Sequence, residues 1–96
     1  MIRHTVAFHL VHPAGSAEEA AFLAAAAELA EIPGVHKFES LREVSPKNDF
    51  AFGLSMEFDD QTAYDGYNSN PKHVQFVSTR WESEVADFLE IDYTAL

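Results

Sequence analysis

The ten residues 67-YNSNPKHVQF-76 bring together a tyrosine, an Asn-Pro step and a histidine at the start of an apolar run. Asn70 is a favourable N-cap and Pro71 suits the first helical position, so the spacing predicts that His73 sits in the first turn of a helix. The positive helix end disfavours an extra proton on such an imidazole, and a carboxylate partner favours it. Balanced, the ring stays near neutrality and can accept a proton, with its tautomer fixed by the carboxylate. Tyr67 could donate a hydrogen bond to a carbonyl oxygen that becomes an enolate. His4, among apolar neighbours, is a third candidate. Each has a structural alternative: His73 locking down the last strand, Tyr67 as a core aromatic, His4 as a satisfied core histidine.

Strands and helices must position these groups. Residues 2–11 alternate, with Ile2, His4, Val6, Phe8 and Leu10 on one face and Arg3, Thr5, Ala7, His9 and Val11 on the other. Ser16-Ala17-Glu18-Glu19 reads as a capping box, followed by a helix with Phe22, Ala26 and Leu29 along one stripe, flanked by Leu23 and Ala30. Ile32-Pro33-Gly34-Val35 stops it. Residues 36–43 predict an edge strand, and 50-FAFGLSMEF-58, bulky on one face and small on the other, predicts a central one. Asp59-Asp60 cap a short helix carrying Tyr64 and Tyr67, three apart and therefore neighbours on its surface. In the helix after Pro71, Val74, Val77 and Trp81 are the expected buried stripe. The last strand, 85–93, places Phe88, Glu90 and Asp92 on one face, an awkward site for Glu90 unless the strand end is open or bulged.

Composition narrows the function classes. The 96 residues carry sixteen acids against six bases, a formal charge of −10, which repels phosphate backbones and anionic membranes. Neither nucleic acid nor membrane is an expected partner. There is no cysteine, so thiol nucleophiles, thiolate metal sites and disulfides are ruled out. No apolar run approaches the ~20 residues that span a bilayer, and the N-terminus lacks a signal-peptide pattern, so a cytoplasmic protein is the expectation. At 47% hydrophobic content with eight Phe, one domain over 1–96 with one packed core is expected.

The element order β-α-β-β-α-α-β predicts an α+β, ferredoxin-like fold with an antiparallel sheet and helices on one side. Its helix-free face, with Ala7 and Val11, predicts burial against a second copy and hence a homodimer. RHTVAFHL in strand one, the stop IPGV, the run Y-x3-P-x-H-V-x-F and a terminal I-D-Y together resemble the stress-responsive A/B barrel (Dabb) family. The resemblance implies a ferredoxin-like subunit pairing into a dimeric α/β barrel.

Most members of that family have no defined activity, and the resemblance therefore implies a protein binding a small apolar or carbonyl-containing ligand between helices and sheet. Polyketide cyclases of this fold perform an intramolecular aldol condensation without metal or organic cofactor. Their catalytic positions fall here on His4, Tyr67, His73 and Asp92. The alternative function implied is thus a cofactor-free cyclase or lyase in which His73, oriented by Asp92, is the general base and Tyr67 stabilises the enolate. Val6, Phe8, Phe22, Tyr64 and Val77 are the expected pocket lining, and no metal is expected. One departure is Asn70, where the cyclases carry a second histidine. A monooxygenase of the antibiotic-biosynthesis type, which shares the dimeric barrel, is a weaker alternative.

Overall fold

The computed structural model describes residues 1–96. Strand β1 (Ile2–Leu10) leads into helix α1 (Ala17–Ala27), then β2 (His36–Arg42) and β3 (Phe52–Phe58). Helices α2 (Gln61–Ser69) and α3 (Pro71–Phe76) follow, and β4 (Val85–Tyr93) ends the chain. The strands form one antiparallel sheet in the order β2-β3-β1-β4. The first and last strands are therefore neighbours, as in the split β-α-β arrangement of ferredoxin-like folds. No helix is long and apolar enough to cross a membrane.

The local signals act largely as the sequence predicts. Ser16 Oγ accepts from the Glu19 amide at 3.2 Å, while the Glu19 carboxylate reaches past the cap to the Gly15 amide at 3.1 Å. Phe22, Ala26 and Leu29 are buried, whereas Ala30 is exposed because α1 tightens into a 3-10 turn over Glu28–Glu31. Gly34 takes a φ of 92°, the left-handed conformation that lets the chain turn sharply out of that helix into β2. Strand β1 stops at Leu10: its pairing with β4 shifts register between His9 and Leu10, and Val11 bonds instead to the Glu84 carbonyl.

One expectation is corrected. Val74 is 51% exposed, and the buried residue of α3 is Phe76. Starting at Pro71, the inward stripe is His73, Phe76 and Val77, so Val77 keeps its expected place while Val74 turns outward. Beyond Phe76 the helix widens into a π-helical turn, Val77–Trp81, before closing at Glu82–Glu84. The wider turn keeps Trp81 on the inward face, its ring 6.3 Å from that of Phe76.

The core lies between this helical layer and the inward face of the sheet, where Val6, Phe8, Leu54, Met56 and Phe58 are buried. Aromatic rings dominate it: Phe8 meets Phe22 at 5.8 Å and Trp81 at 5.2 Å, and Phe58 stacks on Tyr64 at 4.9 Å. The opposite face of the sheet carries no helix and leaves Val11, Leu41, Leu89, Ile91 and Tyr93 exposed. Since Phe22 has no exposed surface, Phe22→Ala should cost about 3–5 kcal/mol. Val74→Ala should stay within about 0.5 kcal/mol. Urea unfolding of the two variants checks both, and a large cost at Val74 would contradict the phase of α3.

Candidate functional site

The site begins with strand pairing. His4 lies opposite Met56 of β3 and Asp92 of β4, so the sheet sets an imidazole and a carboxylate side by side on its inward face. His4 Nδ1 and Asp92 Oδ1 are 2.6 Å apart. The Tyr64 hydroxyl, lowered from α2, donates to Asp92 Oδ2 at 2.8 Å and lies 2.9 Å from His4 Nδ1. A carboxylate can only accept, so His4 Nδ1 carries a proton, and in the neutral ring Nε2 is the acceptor. Burial, followed by Asp92, pushes the Tyr64 hydroxyl above the ordinary tyrosine range, which keeps it a donor.

The second histidine is held in the same sense by a different group. Asn70 caps α3 through its side chain, which accepts from the Lys72 amide, and Pro71 opens the helix. His73, two residues on, donates from Nδ1 to the Asn68 carbonyl at 3.2 Å. Its Nε2 is likewise left as an acceptor. Burial holds the His73 pKa below the ordinary histidine value; the Asn68 bond opposes the shift, His4 adds to it and Glu90 opposes it. Tyr67, one turn after Tyr64, lies between the histidines, with ring centroids 4.4 Å from His73 and 6.2 Å from His4. Burial raises its hydroxyl above the usual range, with a smaller contribution from Glu90.

These groups border one cavity of about 490 Å³ between the helices and the sheet, within the range of small-molecule sites. His4, Tyr67 and His73 line it, together with Val6 and Val77 and a mainly apolar wall including Trp81 and Phe88. His4 Nε2, His73 Nε2 and the Tyr67 hydroxyl make no hydrogen bond within the protein. Yet no buried side-chain nitrogen or oxygen lacks a partner. These three atoms therefore keep open surface, although His4 is only 6% and Tyr67 only 2% exposed. All three residues line the cavity.

Several expected placements differ. Asp92 does not orient His73: the β1–β4 register puts it across from His4, and His73 is served by a backbone carbonyl of its own helical layer. Phe8 and Phe22 do not line the cavity, because Trp81 and Phe76 pack directly over them, and both are fully buried. Tyr64 also stands outside the lining, engaged with Asp92. Glu90 does share the face of Asp92, and β4 resolves the difficulty by being an open edge, leaving the Glu90 side chain 49% exposed at the cavity. The lining role of Glu90 was readable from strand alternation; the third-partner role of Tyr64 had no sequence signal beyond its spacing from Tyr67.

Ligating atoms of His4, Glu90 and Asp92 lie within 4.8 Å of one another, a set of one histidine and two carboxylates that leaves out His73. Hydrogen bonds already account for the His4–Asp92 approach, and both acids are exposed.

Comparison with known proteins agrees with the fold. Residues 2–95 match the model of the stress responsive A/B barrel domain, Dabb. The chain is similar to a Dabb family protein with a ferredoxin-like fold from Mesorhizobium loti, at 56% identity over 99% of this chain and 96% of that one, with a TM-score of 0.96. It also resembles a dimeric ferredoxin-like protein of unknown function from Bacteroides fragilis (22% identity, 98% and 95% covered, TM-score 0.72). A hydroxynitrile lyase from Passiflora edulis aligns at 13% identity over 99% of this chain and 93% of that one, with a TM-score of 0.86. At the last two identities the likeness is one of fold. No curated protein matches the sequence. With the match extending over nearly its whole length, the chain belongs to the stress-responsive A/B barrel (Dabb) family.

Proposed function

We propose that the cavity binds a small, largely apolar, carbonyl-containing ligand and moves a proton on the carbon next to that carbonyl. The observation that carries this reading is the set of three unpartnered polar atoms, His4 Nε2, His73 Nε2 and the Tyr67 hydroxyl, bordering one mainly apolar cavity. His4 is the general base in this scheme. Asp92 fixes its tautomer and stabilises the imidazolium formed when Nε2 takes the proton. Tyr67, kept protonated by burial, donates to the carbonyl oxygen as it gains enolate charge. His73, kept neutral by burial, is a second hydrogen-bond acceptor beside Tyr67 and adds no competing charge. The expected pairing of His73 with Asp92 is thus replaced by His4 with Asp92. Carbonyl chemistry on this fold also has a precedent in the Passiflora lyase, named for cleaving hydroxynitriles.

The competing reading is binding without catalysis, in which the same three atoms only fix a ligand's orientation. The two separate in one assay: deuterium uptake from heavy water into the position next to the carbonyl of phenylbutanone, followed by NMR. The wild-type protein should accelerate uptake over buffer. His4→Asn, whose amide can replace Nδ1 but not Nε2, should lose that acceleration by about a hundredfold, in line with the usual contribution of a general base. Tyr67→Phe should also slow uptake. If phenylbutanone binds and exchanges no faster than in buffer, the reading is binding alone.

The homodimer belongs to the same proposal. Its support is the exposed apolar row Leu89, Ile91 and Tyr93 on the helix-free face, together with the dimeric state of the Bacteroides fragilis protein. Sedimentation should give a dimer at micromolar concentration, and Ile91→Lys should shift it toward monomer. A wild-type monomer would contradict the assignment.

A further inference from the structure

The charge lining the cavity carries a prediction about ligand class, which rests on the reading of the cavity as a ligand site. Glu82 and Glu90 border it, and no lysine or arginine does. The six bases lie elsewhere. Arg3 and Lys37 approach Glu57 on the helix-free face, Lys72 approaches Glu31, and Arg80 bonds Glu84. Arg42 lies over the Phe52 ring, and Lys47 is in the turn before β3.

Neither lining carboxylate is neutralised. Glu82 makes no ion pair or side-chain hydrogen bond, and Glu90 has only the Tyr64 hydroxyl at 3.5 Å and His4 Nδ1 at 3.8 Å. The histidines of the lining do not offset them. His73 is disfavoured as a cation by its burial, and a proton gained by His4 is balanced by Asp92 at 2.6 Å. Both glutamates are exposed, so they stand at the rim of a cavity whose wall includes Trp81 and Phe88, with rings meeting edge to face at 5.5 Å. Unneutralised carboxylates at the mouth of a mainly apolar cavity suit an organic ammonium group on an apolar body: the acids attract the cation through their charge and the wall takes the body.

We infer that, among ligands sharing one hydrocarbon body, this cavity prefers those bearing a protonated amine at the rim formed by Glu82 and Glu90, and rejects carboxylates. The apolar body fills the wall, and the amine stays at the hydrated mouth where its desolvation cost is small.

Calorimetric titration of the wild-type protein with phenylbutylamine, phenylbutanol and phenylbutyrate, at neutral pH and low salt, tests this directly. The amine should bind tightest, the alcohol next and the carboxylate weakest, with about tenfold between the extremes. Added salt should narrow that gap. The double variant Glu82→Gln, Glu90→Gln should close most of it. Equal binding of amine and carboxylate, or a gap that survives in the double variant, would overturn the charge selection; alcohol binding would then still support the ligand site. If none of the three binds, the ligand-site reading falls, and the inference with it.

Discussion

The hydrogen bond between His4 and Asp92 is the constraint around which the site is organised. A histidine on the inward face of a central strand must have its ring nitrogens satisfied or open to solvent, since burying an unpaired polar group costs about 1–3 kcal/mol. The register of β1 against β4 supplies a carboxylate for one nitrogen, and the cavity supplies open space for the other. Tyr64 closes the arrangement from α2 by donating to the second oxygen of the same carboxylate. One acid thus links the first strand, the last strand and a helix. β4 is an edge strand exposed along nearly its whole length, and this contact joins the backbone ladder to β1 and the Trp81–Phe88 packing in holding it beside the cavity.

The cavity exists because the helical layer is not uniform. After α3 the wider π-helical turn brings Trp81 over Phe8, sealing the Phe8–Phe22 part of the core. On the other side of that seal, Val6, Leu54 and Met56 from the sheet border the cavity, with Tyr67 and His73 among the helical residues facing them. Packing is dense where aromatic rings meet one another and open where polar atoms without partners converge. That division separates the residues that stabilise the fold from those available to a ligand.

Much of the fold was legible in the chain because it depends on local rules. Alternation placed His4, Val6 and Phe8 on one face, the Ser16–Glu19 box started α1, and Asn70-Pro71 set the beginning of α3. The site was legible by residue type but not by partnership. Asp92 is 88 positions from His4, and their meeting depends on a strand register that no local pattern encodes. Val74 is apolar yet faces outward, because the packing of Phe76 sets the inward side of α3; Val77 and Trp81 keep the side their spacing predicts. Phe8 and Phe22 looked like pocket lining for a similar reason: the sequence shows that they are apolar and inward, not that Trp81 and Phe76 will cover them.

The central claim is that two imidazoles present unprotonated Nε2 atoms to one cavity. Long-range proton–nitrogen NMR of the imidazole rings, followed through a pH titration, tests it most directly. His4 and His73 should both carry their proton on Nδ1 when their rings are neutral. As the pH falls, burial should delay protonation of His73 to below its usual value of about 6.5. A proton on Nε2 of either ring at high pH, or a His73 midpoint above that value, would contradict it.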